Sequence, residues 1–476
     1  MNKSNPIKKF EWLPILFLIF CSVLVMGANL TRGHVWGDDF AGYINQAQSI
    51  LEHRTDKLLE INKMMNARSV FPPGPDAYPW GYPLLISPVI AAFGISPLAI
   101  KSINLLLWGL ALLAMFWFAR RRIDWNSSLL IITLCAFSPL FIQMSDLIQS
   151  DLPFLAACYC FLWKADDLKA GYKNAFVAGI LLFLAIFLRT HGVLLITFLL
   201  PGLIKHPSRK QALSQLFVIL ATVGILYTLQ RFIFPSGESS YLSHFDMFSW
   251  NNLWQNSVHY FWAFSDFFGR QPFAKWIFGL FFVAFLFAQE KAFQVDSGSQ
   301  IFFYLTLLTF VVWPERQGAR FLLPLIPVFL IRTVEGAKII IGKQKWLNKP
   351  LIGAASLLSI FYLYGGVVSG IRNLNAERDI SGPFDPYSYA AYETIREETM
   401  PDDVIVFFKP RAMYLFTGRA SFAQDTCEGL ADGNFVLIHK KQDNNLQLNP
   451  DSILECSQVD SAAIYSNKRF VLYKLK

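Results

Sequence analysis

Long apolar segments alternate along this chain with short polar ones, and these apolar segments predict its architecture. Eleven of them are predicted to cross a membrane as helices, although several are shorter than the roughly 20 residues of a full crossing. The predicted spans are 11–30, 97–119, 127–143, 149–164, 175–189, 192–204, 213–233, 273–289, 300–313, 320–335 and 350–370. We therefore predict an all-α polytopic membrane bundle of about 11 transmembrane helices.

Composition supports this class. Of the 476 residues, 54% are hydrophobic and only 16% are charged, and the mean hydropathy is +0.37. A soluble domain carries about 25% charged residues. The net charge of +8 comes from short basic clusters between apolar spans, which is typical of membrane topology. We therefore predict contact with membrane lipids and no nucleic-acid partner.

The basic clusters predict the orientation, because they remain on the cytoplasmic side. They are Lys8 and Lys9, 120–122, the group Lys164, Lys169 and Lys173, the group Lys205, Arg209 and Lys210, and 338–349. Segments that join two clusters must cross twice, so 144–150, 189–191 and 314–320 turn on the outer side. The N-terminus is then cytoplasmic and the C-terminus lies outside. We expect the first span to stay in the membrane, since no clear small-x-small cleavage site follows it.

Three outer regions are not simple spans. The first outer loop, 31–96, has helical periodicity from Ala41 to Leu51 and then a segment rich in Pro and Gly, 71–83, where we expect no regular helix. The aromatic outer loop, 234–272, is either an interfacial helix or a binding wall. We place a membrane domain at 1–370 and a C-terminal domain at 371–476.

The C-terminal domain is predicted to be a small α/β extracytoplasmic domain. A helix is expected at 387–398, and strands are expected at 402–408, 435–438 and 470–473. Cys427 and Cys456 are the two cysteines of this domain, and they can pair if it faces an oxidising compartment. Sequence alone does not decide that pairing.

An acidic pair, Asp38 and Asp39, follows the first span directly and opens the predicted helix of the first outer loop. Asp favours helix starts, so one interpretation is a helix cap. The other is a catalytic base at the membrane surface. Both interpretations can hold together.

Further polar residues are predicted at the same outer side. They are Asp146, Asp151, Arg189, His191, Glu315, Arg316 and Arg320. Charges at span ends are costly without a role, although each arginine could also be an interfacial residue and each aspartate a helix cap. Arginine suits a phosphate and a carboxylate suits deprotonation of a hydroxyl. The set indicates transfer from a phosphate-linked donor to an alcohol.

Short motifs spread over nearly the whole chain resemble the GT-C membrane glycosyltransferases, in particular the bacterial protein-mannosyltransferase-like and aminoarabinose-transferase-like group. The matching segments are Gly37-Asp38-Asp39 with Tyr43 and Gln46-Ala47, the run Tyr78-Pro79-Trp80-Gly81-Tyr82-Pro83-Leu84-Leu85, Ser150-Asp151-Leu152-Pro153-Phe154, Leu188-Arg189-Thr190-His191-Gly192, the run from Arg320 to Pro327, and the run from Lys409 to Arg419. The chain departs from the pattern where Trp80 replaces a proline, where no proline follows Arg189, and where Asp38-Asp39 replaces Asp-Glu.

This resemblance implies a polyprenyl-phosphate sugar donor and an inverting transfer at the periplasmic face of a bacterial inner membrane. It implies a catalytic base in the first outer loop, Asp39 by its spacing to Tyr43 or else Asp38, with Asp151 or Asp146 as a second acidic residue. Arg189 and Arg320, and less directly Arg316, would bind the donor phosphate. The residues expected to line the acceptor or substrate site are Tyr43, Tyr82, Asp146 and His191.

The resemblance leaves the sugar and the acceptor open; the acceptor could be a protein, lipid A or another glycan. Some GT-C enzymes need a divalent metal and others do not. Because the sequence has no His-rich ligand set, we predict no metal and no other cofactor. Two alternatives to an enzyme are a lipid or glycan transporter or flippase and a non-catalytic partner in envelope assembly. A transporter would more often show internal repeats, and none is obvious here.

Overall fold

A computed structural model describes residues 12–166, 171–205, 208–237, 249–269, 272–314, 316–342, 348–441 and 446–476. The first helices are α1 (Trp12–Asn29), α2 (Asp38–Leu51), α3 (Thr55–Arg68), α4 (Gly81–Phe93), α5 (Pro97–Arg120), α6 (Trp125–Phe137), α7 (Pro139–Ser145), α8 (Asp151–Ala165), α9 (Tyr172–Leu188) and α10 (Leu200–Lys205). The later helices are α11 (Arg209–Ile233), α12 (Trp250–Ala263), α13 (Phe273–Phe287), α14 (Gln289–Val295), α15 (Ser297–Val312), α16 (Ile326–Ile341), α17 (Asn348–Asn375), α18 (Pro386–Glu398) and α19 (Pro410–Thr417). Short 3₁₀ segments include Thr190–Leu199 and Gly318–Leu322.

The chain is a multi-pass membrane protein, and the predicted helical bundle is confirmed. Within the described ranges, four helices are by themselves long and apolar enough to cross a membrane: α1, α5, α11 and the part of α17 from Ile352 to Asn375. The remaining predicted spans coincide with shorter helices or with bent pairs, such as α6 and α7, whose axes differ by 51°. Large apolar side chains point outward from these helices, including Phe217 and Phe232 of α11, which are 72% and 84% exposed. Such an apolar exterior fits a lipid environment.

The core of the bundle lies between α5 and α8, where Trp108, Phe118 and Tyr159 are fully buried. Close packing of these rings fixes the helix ends that carry the polar residues discussed below. Beyond the C-terminal end of α5, Arg122 forms ion pairs with Asp166 (2.7 Å) and Asp296 (2.6 Å). This pairing ties three elements together at the end of α5 that lies away from the acidic pair.

The first outer loop holds more helix than the sequence predicted. The helix predicted from Ala41 is confirmed and begins at Asp38, but α3 and α4 were missed. The expectation of no regular helix through 71–83 is right up to Trp80 and wrong from Gly81 onward. Proline is tolerated in a first helical turn, where its missing N–H has no partner to lose, and Pro83 lies in that turn of α4.

The aromatic outer loop contains a helix, α12, in its described part. Trp250 and Trp254 of this helix are 78% and 71% exposed, which fits an interfacial helix. Residues 238–248 and 270–271 of the predicted loop lie outside the described residues, as does Glu315.

The C-terminal domain is an α/β unit, as predicted, and its mixed sheet has five strands. Its strands are β1 (Val404–Val406), β2 (Ala420–Phe422), β3 (Phe435–His439), β4 (Val459–Ser466) and β5 (Phe470–Leu475), in the order β2-β1-β3-β5-β4. The sequence predicted β1, β3 and β5 but not β2 or β4. β1 is parallel to β2 and β3, whereas β5 is antiparallel to β3 and β4. Cys427 and Cys456 form a disulfide, with Cα atoms 5.4 Å apart.

This domain packs directly on the first outer loop. The Gly33 amide donates to the Asp379 carbonyl (3.0 Å), and the Val70 amide donates to the Ala423 carbonyl (2.8 Å). A Cβ atom at Gly33 would lie 2.2 Å from the Ser381 nitrogen, so the two backbones meet closely where only glycine fits. The domain therefore lies on the same side of the bundle as the acidic pair, which agrees with the orientation predicted from the basic clusters.

Candidate active site

The acidic pair occupies the first turn of α2. Gly37 is the N-cap residue, in an extended conformation (φ −147°, ψ 153°), so neither aspartate caps the helix with its side chain. Carboxylates in a first turn interact favourably with the helix dipole. Consecutive residues of a helix project about 100° apart, so the two side chains face different surroundings.

Asp39 faces the membrane bundle and accepts hydrogen bonds from two residues. The Tyr78 hydroxyl donates to Oδ1 (2.6 Å), and both terminal nitrogens of Arg320 donate to Oδ2 (3.0 Å each). Burial by itself would raise the pKa of this carboxyl, but the Arg320 charge and these hydrogen bonds outweigh burial and hold the pKa below its ordinary value. Asp39 is therefore ionised at neutral pH.

Arg320 continues the contacts towards a second acidic residue. Its Nε lies 4.0 Å from Oδ1 of Asp151, which forms an ion pair with Arg189. The Asp151 side chain is 3% exposed and that of Arg189 is 10% exposed. The Phe321 ring lies beside both guanidinium groups, with its centroid 5.2 Å from Arg189 and 5.8 Å from Arg320. Four predicted residues thus form one chain of alternating charge: Asp39, Arg320, Asp151 and Arg189.

Helix ends position each member of this alternating chain. Asp39 opens α2 and Asp151 opens α8, while Arg189 follows the last residue of α9 in an extended conformation. Arg320 lies in the 3₁₀ segment before α16. Because each helix ends at the same level of the bundle, side chains far apart in sequence come into contact.

Asp38 faces the C-terminal domain. Its Oδ2 lies 3.4 Å from Nζ of Lys409, and its buried Oδ1 accepts no hydrogen bond within the described part of the chain. Burial raises the pKa of this carboxyl, against the lowering effect of the Lys409 and Arg411 charges. The two neighbouring aspartates therefore differ in proton affinity, and Asp38 is the stronger base.

A cavity of about 280 Å³ adjoins both aspartates. It lies between the proline-rich segment of the first outer loop and the C-terminal domain. Its lining includes Phe71, Pro72 and Pro73 on one side and Phe408, Lys409 and Pro410 on the other. A carboxylate pair in the wall of a largely apolar cavity is an arrangement that binds a polar ligand in a defined orientation.

Tyr43 and Tyr82 pack behind the charged residues. The Tyr43 ring lies 4.6 Å from the Tyr78 ring and 4.9 Å from the Tyr82 ring, and its hydroxyl is 3.0 Å from Oγ of Ser150. Burial raises the pKa of Tyr43 to about 12, so its hydroxyl keeps its proton at neutral pH. These tyrosines form a wall that fixes Tyr78 against Asp39.

Three other predicted site residues lie outside this alternating chain. Asp146 accepts from the Thr31 amide (2.6 Å) and pairs with Lys101 (2.7 Å), which anchors the start of the first outer loop. The His191 ring packs among aromatic rings, and one of them, Phe321 (5.5 Å), also lies beside Arg189 and Arg320. Arg316 donates to Gln255 (2.6 Å) and Asn256 (2.9 Å) of α12.

Sequence reasoning gave no role to Lys409, Arg411 or Tyr78. Arg411 is 1% exposed and donates to the Tyr78 hydroxyl (2.8 Å). The available signal was the run from Lys409 to Arg419. It resembles a stretch found in the family, but the resemblance assigned no function to its residues. With these residues the site holds one more positive than negative charge, counted over Arg189, Arg320, Lys409, Arg411, Asp38, Asp39 and Asp151. Such an excess suits an anionic ligand.

No group of three or more His, Cys, Asp or Glu side chains in the described ranges is arranged to hold a metal ion.

This protein is similar to known proteins in structure. No protein-family model and no curated protein sequence matches this chain. The structure of ArnT from Cupriavidus metallidurans bound to undecaprenyl phosphate superposes with a TM-score of 0.61 at 11% identity, covering 98% of each chain. The apo oligosaccharyltransferase of Archaeoglobus fulgidus gives a TM-score of 0.60 at 12% identity, over 91% of this chain and 70% of that one. The Archaeoglobus fulgidus oligosaccharyltransferase AglB, in complex with an inhibitory peptide and a dolichol-phosphate, gives 0.58 at 12% identity over the same shares. Both proteins have the GT-C fold. This polytopic chain with its small C-terminal sheet domain therefore has the GT-C fold that its motifs predicted.

Proposed function

We propose that this protein is an integral membrane glycosyltransferase that moves a sugar from a polyprenyl-phosphate donor to an acceptor hydroxyl. The observation that carries the proposal is the alternating chain of Asp39, Arg320, Asp151 and Arg189 at the ends of the helices of a GT-C fold. It is supported by the structural neighbours, ArnT bound to undecaprenyl phosphate and AglB in complex with a dolichol-phosphate. The proposed setting is the periplasmic face of a bacterial inner membrane, with the N-terminus cytoplasmic and the C-terminal domain periplasmic.

Arg320 and Arg189 are the proposed ligands of the donor phosphate. A guanidinium group offers paired N–H donors that match phosphate oxygens. Both arginines are held by carboxylates, so their orientation is fixed before a donor binds. Negative charge grows on the phosphate as the sugar leaves, and these two cations stabilise that charge.

Asp39 is the proposed base. It takes the proton of the acceptor hydroxyl while the acceptor oxygen attacks the anomeric carbon from the face opposite the phosphate. The bond between that carbon and the phosphate oxygen breaks, and its electron pair stays on the released polyprenyl phosphate. Attack from the opposite face inverts the anomeric configuration.

Arg320 links donor binding to the strength of this base. In the free protein its terminal nitrogens bind Asp39. A phosphate competes for the same nitrogens, so a bound donor weakens the ion pair and raises the proton affinity of Asp39. The carboxylate then becomes a better base when the donor is in place.

The cavity beside the aspartates is the proposed acceptor site. It has a volume of about 280 Å³ and is lined by Asp38 and Asp39, so a hydroxyl bound in it lies beside the proposed base. The rest of the acceptor, whether protein, lipid A or another glycan, would lie along the surface between the proline-rich segment and the C-terminal domain.

The test uses membranes that carry wild-type protein, Asp39→Asn, Asp38→Asn or both changes. The membranes receive a panel of undecaprenyl-phosphate-linked radiolabelled hexoses and pentoses, and label in endogenous acceptors is counted. Asp56 lies exposed in the first turn of α3, so Asp56→Asn is a matched control in the same loop.

We expect transfer by the wild type and the Asp56→Asn control, and its loss in Asp39→Asn at equal protein level. Unchanged transfer in every aspartate variant would remove both carboxylates from the mechanism. A wild type that transfers no label from any donor would favour a transporter or an assembly partner instead.

A further inference from the structure

We propose that the C-terminal domain completes the active site, with Arg411 and Lys409 as positioning residues for Asp39 and Asp38. This inference rests on the proposed function and goes beyond it, because it assigns a catalytic contribution to a domain outside the membrane bundle. Lys409 and Arg411 lie at the start of α19, on the side of the domain that packs against α2.

Arg411 is held from several directions by the first outer loop. Its Nη1 donates to the Tyr78 hydroxyl (2.8 Å), its Nη2 donates to the Pro75 carbonyl (2.5 Å), and its guanidinium carbon lies 4.9 Å from the centre of the Tyr78 ring. Asn45 of α2 donates to its backbone carbonyl (3.0 Å). The side chain therefore has one defined position between two parts of the loop.

The contact reaches Asp39 through Tyr78. The Tyr78 hydroxyl accepts from Arg411 and donates to Oδ1 of Asp39 (2.6 Å). A cation that donates to a hydroxyl strengthens the hydrogen bond that this hydroxyl donates onward. Arg411 thus orients the phenol and holds its proton towards the carboxylate.

Two glycines leave the space that this arrangement needs. A Cβ atom at Gly42 would lie 2.7 Å from Cε2 of Tyr78 and 3.1 Å from Nη1 of Arg411. A Cβ atom at Gly74 would lie 2.7 Å from Nη1 of Arg411, and the φ of Gly74 is +145°, which other residues rarely adopt. The loop backbone is therefore shaped around the Arg411 and Tyr78 side chains.

The charge of Arg411 also needs an explanation, because a buried guanidinium is costly unless anions compensate it. Its hydrogen-bond partners, a phenol and a carbonyl, are neutral. The Asp38 and Asp39 carboxylates are the anions on which its charge acts. A buried arginine whose counter-charges are the proposed base, Asp39, and its neighbour Asp38 serves those carboxylates rather than the domain's own fold.

Lys409 acts on the other aspartate. Its ammonium is the cation nearest to Asp38 among the ion pairs of the described chain, at 3.4 Å, and both residues line the cavity proposed for the acceptor. Its side chain is 14% exposed. Lys409 therefore holds Asp38 at the wall of this cavity.

The test measures how transfer depends on pH, so every group that faces the two carboxylates matters. The charged and titratable groups around them are Arg320, Arg411, Lys409, Tyr43, Tyr78, Tyr392 and His34. Burial lowers the pKa of His34 to about 4, so this histidine is neutral above pH 5. A limb above pH 5 therefore belongs to the carboxylates, while His34 titrates at about pH 4.

The variants are Arg411→Met, Arg411→Lys, Tyr78→Phe, the double change Arg411→Met with Tyr78→Phe, and Lys409→Met. Arg419 is an arginine of the same domain that donates to Thr399 and Thr417, away from the carboxylates, so Arg419→Met is the matched control. Initial rates of label transfer, with the donor that the wild type uses at saturation, are measured from about pH 3 to 8. Thermal unfolding in detergent checks that each variant is folded.

We expect Arg411→Met to lower the transfer rate about 10- to 100-fold, the effect of losing one hydrogen bond at a charged group. Its acidic limb should move to higher pH, because the lost cation favoured the ionised carboxylate. Arg411→Lys should recover part of both effects. The double change should be no worse than the more severe single change, since Arg411 acts through Tyr78. Lys409→Met should raise the KM for the acceptor.

The inference would be overturned if Arg411→Met had the same transfer rate and pH profile as Arg419→Met. It would also be overturned if the rate losses of Arg411→Met and Tyr78→Phe multiplied in the double variant. If Arg411→Met does not fold, the inference is tested with Arg411→Lys and Tyr78→Phe, in which the acidic limb of the pH profile should also move to higher pH. In each of these cases the wild type still transfers label, so the proposed function stands. A wild type without transfer overturns both together.

Discussion

Arg320 and Arg316 lie four residues apart in one short segment and have different partners, which makes them a sharp test of the site. Both were predicted to bind the donor phosphate. Arg320 contacts Asp39 with two nitrogens, whereas the exposed Arg316 contacts the neutral amides of Gln255 and Asn256. We predict that Arg320→Lys strongly lowers transfer and that Arg316→Lys does not.

The size of the effect follows from the contacts. Lysine keeps the positive charge but has one nitrogen, so at least one of the two 3.0 Å hydrogen bonds of Arg320 is lost. A hydrogen bond to a charged group contributes about 1.5–3 kcal/mol, which corresponds to a rate loss of about 10- to 150-fold. Exposed polar contacts contribute a few tenths of a kcal/mol, so Arg316→Lys should change the rate by less than about threefold.

The assay is label transfer from an undecaprenyl-phosphate-linked sugar at saturating and at low donor concentration. Loss of a contact to the donor phosphate should appear in kcat/KM for the donor in the Arg320 variant. Equal losses in the two variants, or an unchanged Arg320→Lys, would refute the reasoning, since the structure gives these arginines different partners.

Three further outcomes are expected. Asp151→Asn should lower the unfolding temperature and abolish transfer, because it leaves the Arg189 guanidinium, 10% exposed, without its carboxylate partner, at a cost of about 3–5 kcal/mol; thermal unfolding in detergent measures this. Cys456→Ser should destabilise the C-terminal domain by about 3–4 kcal/mol, the loop entropy released when its bond to Cys427, 29 residues away, is removed; reductant should then lower the unfolding temperature of the wild type but not of the variant. The pKa of Asp39 is lower in the folded protein than its unfolded value of about 3.9, so its ionised form stabilises the fold above that pH. This stability is lost as the pH falls through the folded pKa. Acid should therefore lower the unfolding temperature of the wild type more than that of Asp39→Asn.

Hydropathy and charge clusters predicted most of the architecture. Transmembrane helices must satisfy their own backbone, so apolar length is a direct physical signal, and the predicted spans coincide with helices. Local alternation predicted β1, β3 and β5 of the C-terminal domain but not β2 or β4, and the sequence left the pairing of Cys427 with Cys456 open. Helices α3 and α4 were missed because α3 is largely polar and α4 follows a proline-rich segment.

The candidate site was only partly predictable. The positions of the basic clusters predicted that the helix ends carrying Asp39, Asp151, Arg189 and Arg320 lie on one side of the membrane. They do not predict which way each side chain faces. Asp146 lies on the same side and faces Lys101 instead. The contact of Lys409 with Asp38 joins residues 371 positions apart, and no local pattern carries that information.

The acidic pair also shows why a helix start alone does not explain these two residues. An acidic residue in a first turn gains about 0.3–1 kcal/mol from the helix dipole. Asp56 at the start of α3 occupies such a position while exposed to solvent. Burying a carboxylate costs several kcal/mol unless cations compensate it. Here the side chains of Asp38 and Asp39 are only 9% and 27% exposed, and each has a cation beside it: Lys409 of the C-terminal domain for Asp38 and Arg320 of the bundle for Asp39. A cap needs neither the burial nor the cations, so the cost of this arrangement is explained by the chemistry proposed for the pair.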